Sequence, residues 1–334
     1  MLWIQFLICV LIVVAASTFL SRYADVIAEK TNLGRAWVGA ILLAGVTSLP
    51  ELVSGLTAVT VLHAPNIAIG GIVGSNLFNL TLIAVMDVAY QPGSILARAQ
   101  DGHILSGALG ILLIGLAASA PLWGTVLNGS GIFGISFISL GIFAVYLIGA
   151  RLLALFQSKR AAEVLEQEAA TLHYNLITRR RAFFVFSMAA LVVVVAGVWL
   201  SSLTDQIAAE TGLGRSFAGA LFLGVSTSLP EITASLTAVR IGAIDLAIGN
   251  VLGSNLFNVT LLAVYDVFDG GHNLWASMST ANSLGLIIAM MMTAVVIVSL
   301  MYRASPKTPW RVSWDGIALG AMYLGALAAL YALG

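Results

Sequence analysis

The five residues Thr47-Ser48-Leu49-Pro50-Glu51 recur as Thr227-Ser228-Leu229-Pro230-Glu231, each time inside an otherwise apolar run. A proline lacks the amide hydrogen and crowds the preceding turn, so a helix carrying one is interrupted there, here beside a carboxylate. Inside a bilayer a freed carbonyl is tolerated only where it lines a cavity or is buried in protein, and an ionisable side chain needs similar surroundings. The same break with the same carboxylate, installed twice, confines the chain to folds in which two interrupted helices share a polar interior.

Apolar residues fill 60% of the 334 positions and charged residues 9%, against roughly 45–50% apolar in soluble domains. The expected fold class is an all-α polytopic membrane protein. A spanning helix needs about 20 apolar residues, and ten segments qualify: 2–20, 36–62, 66–88, 103–119, 132–151, 182–202, 216–240, 244–267, 282–302 and 313–333. They divide the chain into a first five-helix half, 1–151, a polar linker, 152–181, and a second half, 182–334. The linker is rich in Lys and Arg and is therefore expected on the cytoplasmic side. Both termini then lie outside, and 14 of the 15 Lys and Arg residues fall on the cytoplasmic face, with Arg215 alone opposite. The linker reads as a solvated connector, with a short amphipathic helix at 161–172 as the alternative. A formal net charge of zero provides no bulk field for nucleic acid. The single cysteine, Cys9, excludes an internal disulfide framework and a cysteine-clustered metal site. The first apolar run lacks a basic flank and a small-residue cleavage site, and reads as a retained span.

Aligning Asp25–Val59 with Asp205–Val239 gives 19 identities in 35 positions, and Ala68–Val88 with Ala247–Val267 gives 15 in 21. An odd number of spans per half makes the copies run in opposite directions. Such inverted repeats are common in secondary transporters, with the binding site near the midplane where interrupted helices meet.

Thr47 and Ser48 stand four and three residues before Glu51, so both hydroxyls share a helix face with the carboxylate. Thr227, Ser228 and Glu231 repeat the pattern. A second motif, Gly74-Ser75-Asn76-Leu77-Phe78-Asn79, returns as Gly253-Ser254-Asn255-Leu256-Phe257-Asn258. It sets Ser75 one helical turn from Asn79, and Ser254 one turn from Asn258. Gly70, Gly71, Gly74, Gly249 and Gly253 are expected to serve close helix approach. Carboxylates, hydroxyls, amide oxygens and loosened carbonyls, without a cysteine or histidine cluster, suit calcium, sodium or magnesium. Two glutamates balance one divalent ion, or are shared among several sodium ions. No nucleophile constellation supports an intramembrane enzyme.

At these residues the chain resembles the cation/calcium antiporter superfamily, specifically its sodium/calcium exchanger branch of prokaryotic type. Members contain two alpha repeats, here about 25–88 and 205–267, each with a T-S-L-P-E type motif and a G-S-N-x-F-[ND] type motif. The resemblance implies a ten-helix exchanger in the plasma (inner) membrane of a prokaryote, expelling calcium by alternating access with inward sodium flow. It implies no enzyme activity and no prosthetic group, with calcium, sodium and the lipid bilayer as partners. By the same resemblance Glu51 and Glu231 hold the central site, and Thr47, Ser48, Thr227 and Ser228 add hydroxyl or backbone oxygen. Ser75, Asn79, Ser254 and Asn258 come from the third and eighth spans. The carbonyls of Ala44 and Gly224 occupy positions that line sodium sites in relatives, and spans one and six form the sliding pair. Some relatives carry aspartate where this chain has Asn79 or Asn258, which favours a potassium-independent exchanger here. The linker is too short for the large calcium-sensing domains of animal exchangers. Proton-coupled relatives tend to carry a G-N-x-x-E motif that is missing here. Proton coupling, or export of magnesium or manganese, is the nearest alternative, and a calcium channel a more distant one.

Other polar residues are assigned humbler roles. Asp87 and Asp266, at equivalent repeat positions, read as interfacial residues at span ends, and Asp25 and Asp205 as capping or interface residues. His63, His103, His173 and His272 are scattered near loops, without a metal or proton-relay role. Trp3, Trp37, Trp123, Trp275, Trp310 and Trp314 read as interfacial anchors. Replacing His173 by alanine is expected to leave cation flux in vesicles at the wild-type rate.

Overall fold

A chain surrounded by lipid must satisfy its backbone polar groups internally, and a helix does so within one segment. The computed structural model describes residues 1–31, 33–90, 93–124, 131–132, 135–165, 174, 176–211, 227–269, 274–303, 307 and 312–333. The helices are α1 (Leu2–Thr31), α2 (Arg35–Thr47), α3 (Leu49–Thr60), α4 (Pro65–Ala89), α5 (Gly102–Gly124) and α6 (Phe137–Leu165), followed by α7 (Arg179–Thr211), α8 (Leu229–Arg240), α9 (Ile244–Phe268), α10 (Thr280–Tyr302) and α11 (Trp314–Leu333). Among the described residues, eight helices are long and apolar enough to cross a membrane, and α2 with α3 forms a ninth candidate bent by 43°. The chain is thus an all-helical, polytopic integral membrane protein. Of the expected segment 216–240, the part before Thr227 lies outside the described residues, as does Gly224.

The hydrophobic effect does not drive helices together in lipid, so packing and hydrogen bonds must. Helix α1 lies along α7, α5 along α10, and α4 against α9, so helices at matching positions of the two halves meet. At the centre, α9 is the most enclosed, with 89% of its most apolar stretch buried, against 17% for α11. Its glycines explain the closeness. A Cβ on Gly249 would lie 2.6 Å from the Ala36 carbonyl oxygen, and one on Gly253 would lie 2.2 Å from that of Ala40. Helices α2 and α9 therefore touch backbone to backbone.

Polar side chains tie the helix ends together in matched pairs. Asn66, at the start of α4, accepts on Oδ1 the Ser279 N–H (2.9 Å) and the Asn282 Nδ2 (3.2 Å). Asp245, at the start of α9, accepts the Gln100 N–H at 2.8 Å, and its Oδ1 lies 3.0 Å from Nε2 of His103. Each member of one set stands 179 positions from its counterpart in the other. A carboxylate only accepts, so Nε2 of His103 donates here. His103 is fully buried; its place near a loop in the sequence gave no sign of this.

Asp87 and Asp266, near the ends of α4 and α9, form a second matched pair, and both are buried within the protein. The Asp87 carboxylate accepts the N–H groups of Ile95 (2.9 Å) and Ser313 (2.8 Å), with Lys307 donating to the Asp87 and Tyr90 carbonyls. The Asp266 carboxylate accepts the Ser136 N–H (3.1 Å) and the Ser139 hydroxyl (2.7 Å). Trp275, expected as an interfacial anchor, is a correction. It is buried, donating Nε1 to Ser139 Oγ at 2.9 Å, because the clamp on Asp266 draws its short helical turn into the protein.

Residues 152–165 continue α6 and 179–181 open α7, so both ends of the linker are helical. Between them Tyr174 donates its N–H to Glu29 (3.0 Å) and its hydroxyl to Asp25 (2.9 Å), and Asp25 is also paired with Arg35. Burial and the neighbouring Asp25 carboxylate push the Tyr174 phenol up to about 12, so it donates throughout the neutral range. Asp205, His173, His272 and Trp310 have no described side chain.

Removing the half-buried Asp245 acceptor strands the buried His103 Nε2 donor, and an unsatisfied buried donor costs about 1–3 kcal/mol. Asp245→Ala is expected to lower the melting temperature of the detergent-purified protein clearly, while Asp245→Asn, which keeps an oxygen acceptor, recovers most of the loss. Equal melting temperatures for wild type and Asp245→Ala would remove the clasp from the list of stabilising contacts.

Candidate cation site

Helix α2 carries a π-helical stretch at Val38–Leu43 and ends at Thr47. Ser48 then adopts φ −91°, ψ 8° and becomes the N-cap residue of α3; Ser228 does the same for α8 at φ −85°, ψ 9°. Pro50 and Pro230 thereby fall in the first turn of a new helix, where a missing N–H costs nothing. The proline opens a second half-helix instead of merely kinking one. Glu51 and Glu231 also lie in those first turns, where the unpaired amides and the helix dipole favour negative charge.

Both carboxylates are buried, with residue exposures of 5% for Glu51 and 1% for Glu231. The halves interlock across the break. Ser48 donates its hydroxyl to Glu231 Oε1 at 3.2 Å, Thr47 also faces Glu231, and Ser75 faces the Glu51 carboxylate. The Thr47 hydroxyl lies 3.3 Å from the Ala44 carbonyl, which also accepts the Ser48 N–H at 3.1 Å. Between α4 and α9, Asn79 Nδ2 donates to Asn255 Oδ1 (3.1 Å), and Asn255 Nδ2 donates to the Asn76 carbonyl (3.2 Å).

A group of oxygen atoms is left over. Among the described residues, Glu51 Oε2, Glu231 Oε2, Asn79 Oδ1, Asn258 Oδ1, Asn76 Oδ1, Ser228 Oγ and Ser254 Oγ are buried without a hydrogen-bond partner. Each unsatisfied buried polar atom costs about 1–3 kcal/mol, and native proteins keep few of them. A hard cation satisfies many such oxygens at once. Among the described residues no group of three or more His, Cys, Asp or Glu stands together as a metal site.

A cavity of about 400 Å³ reaches this region, bounded by Glu51, Ser75, Thr227 and Tyr265, and runs past Gly71 to Ile67 near the turn between α3 and α4. The expected packing role of the glycines therefore divides. It holds for Gly249 and Gly253. A Cβ on Gly71 or Gly74 would meet nothing within 4 Å, because these residues border the cavity.

The structure gathers Glu51, Glu231, Thr47, Ser48 and Ser75 at the two breaks, with Ala44 and Ser228 on the same segments and Thr227 at the cavity wall. Asn79, Ser254 and Asn258 are buried on α4 and α9. Gly224 lies outside the described residues. Four neighbours went unassigned from sequence: Asn76, Asn255, Asn250 and Tyr265. The first two belong to the repeated motif itself, so their repetition was the available signal. Asn250, whose Nδ2 donates to Ser235 at 2.9 Å, and Tyr265 replace Gly71 and Met86 of the other half, and such departures from the repeat are a subtler signal.

Three comparisons bear on this arrangement. Residues 1–151 and 181–332 match the family model described as sodium/calcium exchanger protein. The sodium/calcium exchanger MaX1 of Methanosarcina acetivorans is 24% identical over 358 residues, covering 99% of both chains. The inner membrane protein YrbG of Escherichia coli is 24% identical over 328 residues, covering 96% of this chain and 94% of its own. The solved structure of the sodium-calcium exchanger NCX_Mj soaked with 10 mM Na+ and zero Ca2+ superposes with a TM-score of 0.70 at 21% identity, covering 97% of each chain, and has the same fold.

Asn255 bridges α4 and α9 with both ends of its amide. Its replacement by alanine is expected to weaken cation binding about tenfold, the equivalent of roughly 1.4 kcal/mol. Calorimetric titration of the purified protein with calcium checks this, and an unchanged affinity would separate Asn255 from the site.

Proposed function

Since this chain belongs to the sodium/calcium exchanger protein family, we propose that it is a secondary antiporter exchanging sodium for calcium by alternating access at the site built on Glu51 and Glu231. The observation that carries this reading is the pair of buried carboxylates, each in the first turn of a half-helix with one oxygen unpaired. Two negative charges balance one calcium ion. The neutral oxygens of the remaining six- to eight-oxygen shell are drawn from Thr47, Ser48, Ser75, Asn79, Thr227, Ser228, Ser254 and Asn258, and the Ala44 and Gly224 carbonyls are assigned to sodium. Sodium competes for the same oxygens. With asparagine at 79 and 258, the site relies on two carboxylates and needs no potassium.

Exchange follows from the electrostatics. A site emptied of cations leaves two like charges unbalanced in a low-dielectric interior, and breaking such a compensation costs several kcal/mol. The protein reorients only when loaded, so cations leaving on one side are coupled to cations entering from the other. Calcium and sodium shift the equilibrium only through their different affinities for the two orientations.

Ten spans in two inverted halves, 1–151 and 182–334, with alpha repeats at about 25–88 and 205–267, provide the machinery. The matched clasps of Asn66 and Asp245, and of Asp87 and Asp266, support this arrangement. So does the packing of α1 along α7, the pair expected to slide. With the linker 152–181 cytoplasmic and both termini outside, the cavity mouth near the α3–α4 turn faces the exterior. The setting is the inner membrane of a prokaryote, in keeping with the name of the Escherichia coli relative.

In proteoliposomes loaded with sodium, calcium-45 uptake is expected to follow the outward sodium gradient. Uptake indifferent to sodium but driven by a pH gradient would replace this reading with proton coupling. Glu51→Gln and Glu231→Gln are each expected to abolish exchange, to below about 1% of wild type, while the proteins insert and purify normally, because each leaves a divalent ion half-compensated. Wild-type flux in either variant would remove the assigned site.

A further inference from the structure

One contact at the site has no counterpart in the other half. Tyr265 sits on α9 about two turns beyond Asn258, is fully buried, and borders the cavity together with Glu51. Its hydroxyl donates to the backbone carbonyl of Glu51 at 2.8 Å. That carbonyl also accepts the Ser54 hydroxyl at 3.1 Å. The ring fits only because residue 55 is glycine: a Cβ there would lie 2.1 Å from Cζ and 2.2 Å from the hydroxyl oxygen of Tyr265. At the equivalent positions of the other half stand Met86 and Ser235. A thioether has no hydrogen to donate, and Ser235 instead accepts Nδ2 of Asn250 at 2.9 Å.

We propose that Tyr265, seated over Gly55, is a positioning residue that holds the first turn of α3 in register with α9 and thereby sets the calcium affinity of the site. The bond is made to the backbone of the residue that carries the carboxylate. It therefore fixes the height and rotation of Glu51 relative to Ser254 and Asn258, which ride on the same helix as the tyrosine. A calcium shell needs its carboxylate and neutral oxygens held at one distance together, and a ligand shell left loose loses affinity without losing its members. The two glutamates are consequently inequivalent. The Glu51 backbone is anchored from α9, whereas the methionine at the matching position has no hydrogen to donate to the Glu231 backbone. Tyrosine suits the task because it reaches across a helix interface with only two rotatable bonds.

This inference takes calcium as the ligand from the function proposed above, and its test uses binding as well as transport. Tyr265→Phe keeps the ring and removes the bond. Calorimetric titration with calcium is expected to give a Kd raised about fivefold, as for one lost hydrogen bond. Calcium-45 uptake should show KM raised by a similar factor, with kcat held within about twofold. Gly55→Ala, which displaces the ring but keeps the hydroxyl, should raise Kd in the same way. The double variant Gly55→Ser with Tyr265→Met transplants the pair found in the other half. It should melt near the wild-type temperature yet retain the weakened affinity, which separates the bond from packing. A wild-type Kd in Tyr265→Phe overturns the proposal, as does a lowered melting temperature with unchanged Kd. If the wild type binds calcium but shows no sodium-driven uptake, the antiport reading falls, while a raised Kd in Tyr265→Phe still upholds this one. If the wild type binds no calcium, both fall.

Discussion

Glu51 and Glu231 are carboxylates withdrawn from water, and much of the surrounding structure is arranged to make that tolerable. An isolated buried anion costs several kcal/mol even after relaxation. Breaking the helices at Ser48 and Ser228 moves a helix N-terminus beside each glutamate, where unpaired amides favour negative charge. The hydroxyl of Ser48 reaches across to Glu231, and buried amide and hydroxyl oxygens remain unpaired around the pair. Each unpaired buried oxygen is a cost, and the cation proposed for this site would relieve those of the two carboxylates.

Such a cluster survives only if the helices bearing it are held rigidly, and in lipid that rigidity must come from close packing and polar links. Gly249 and Gly253 let α9 lie directly on the backbone of α2. Asn66, Asp87, Asp245 and Asp266 pin helix ends to neighbouring elements at sites far from the breaks. The clasps are similar in geometry but different in chemistry. One joins two asparagines, and its counterpart joins an aspartate to a histidine, so the duplicated halves keep the contact while their residues diverge. Divergence is also visible at the site, where Gly55, Gly71 and Gly74 border a cavity while Ser235 and Asn250, the counterparts of Gly55 and Gly71, are bonded to each other.

Local and repeated signals were legible in the chain itself. Apolar length gave the helices, proline beside glutamate gave the breaks, and duplication of both motifs gave the residues around the site. The proline reading needed adjustment: Pro50 and Pro230 begin new helices after a serine cap, and so free a helix N-terminus as well as a carbonyl. The burial of Asp87, Asp266, His103 and Trp275 was not legible, because a linear sequence does not show which elements cover a span end. Their partners, Ser313, Ser139 and Asp245, are more than a hundred residues away.

By itself the sequence determined an all-helical membrane protein, the two breaks and the oxygen-bearing residues, because each follows from composition, from backbone chemistry or from repetition. The tertiary structure alone decided which glycines pack and which border the cavity, which polar ends clasp, and that Tyr265 grips the Glu51 carbonyl across a glycine. Those outcomes depend on which helix faces which across long chain separations. Hydropathy, being an average over neighbours in sequence, contains no record of contacts made in space.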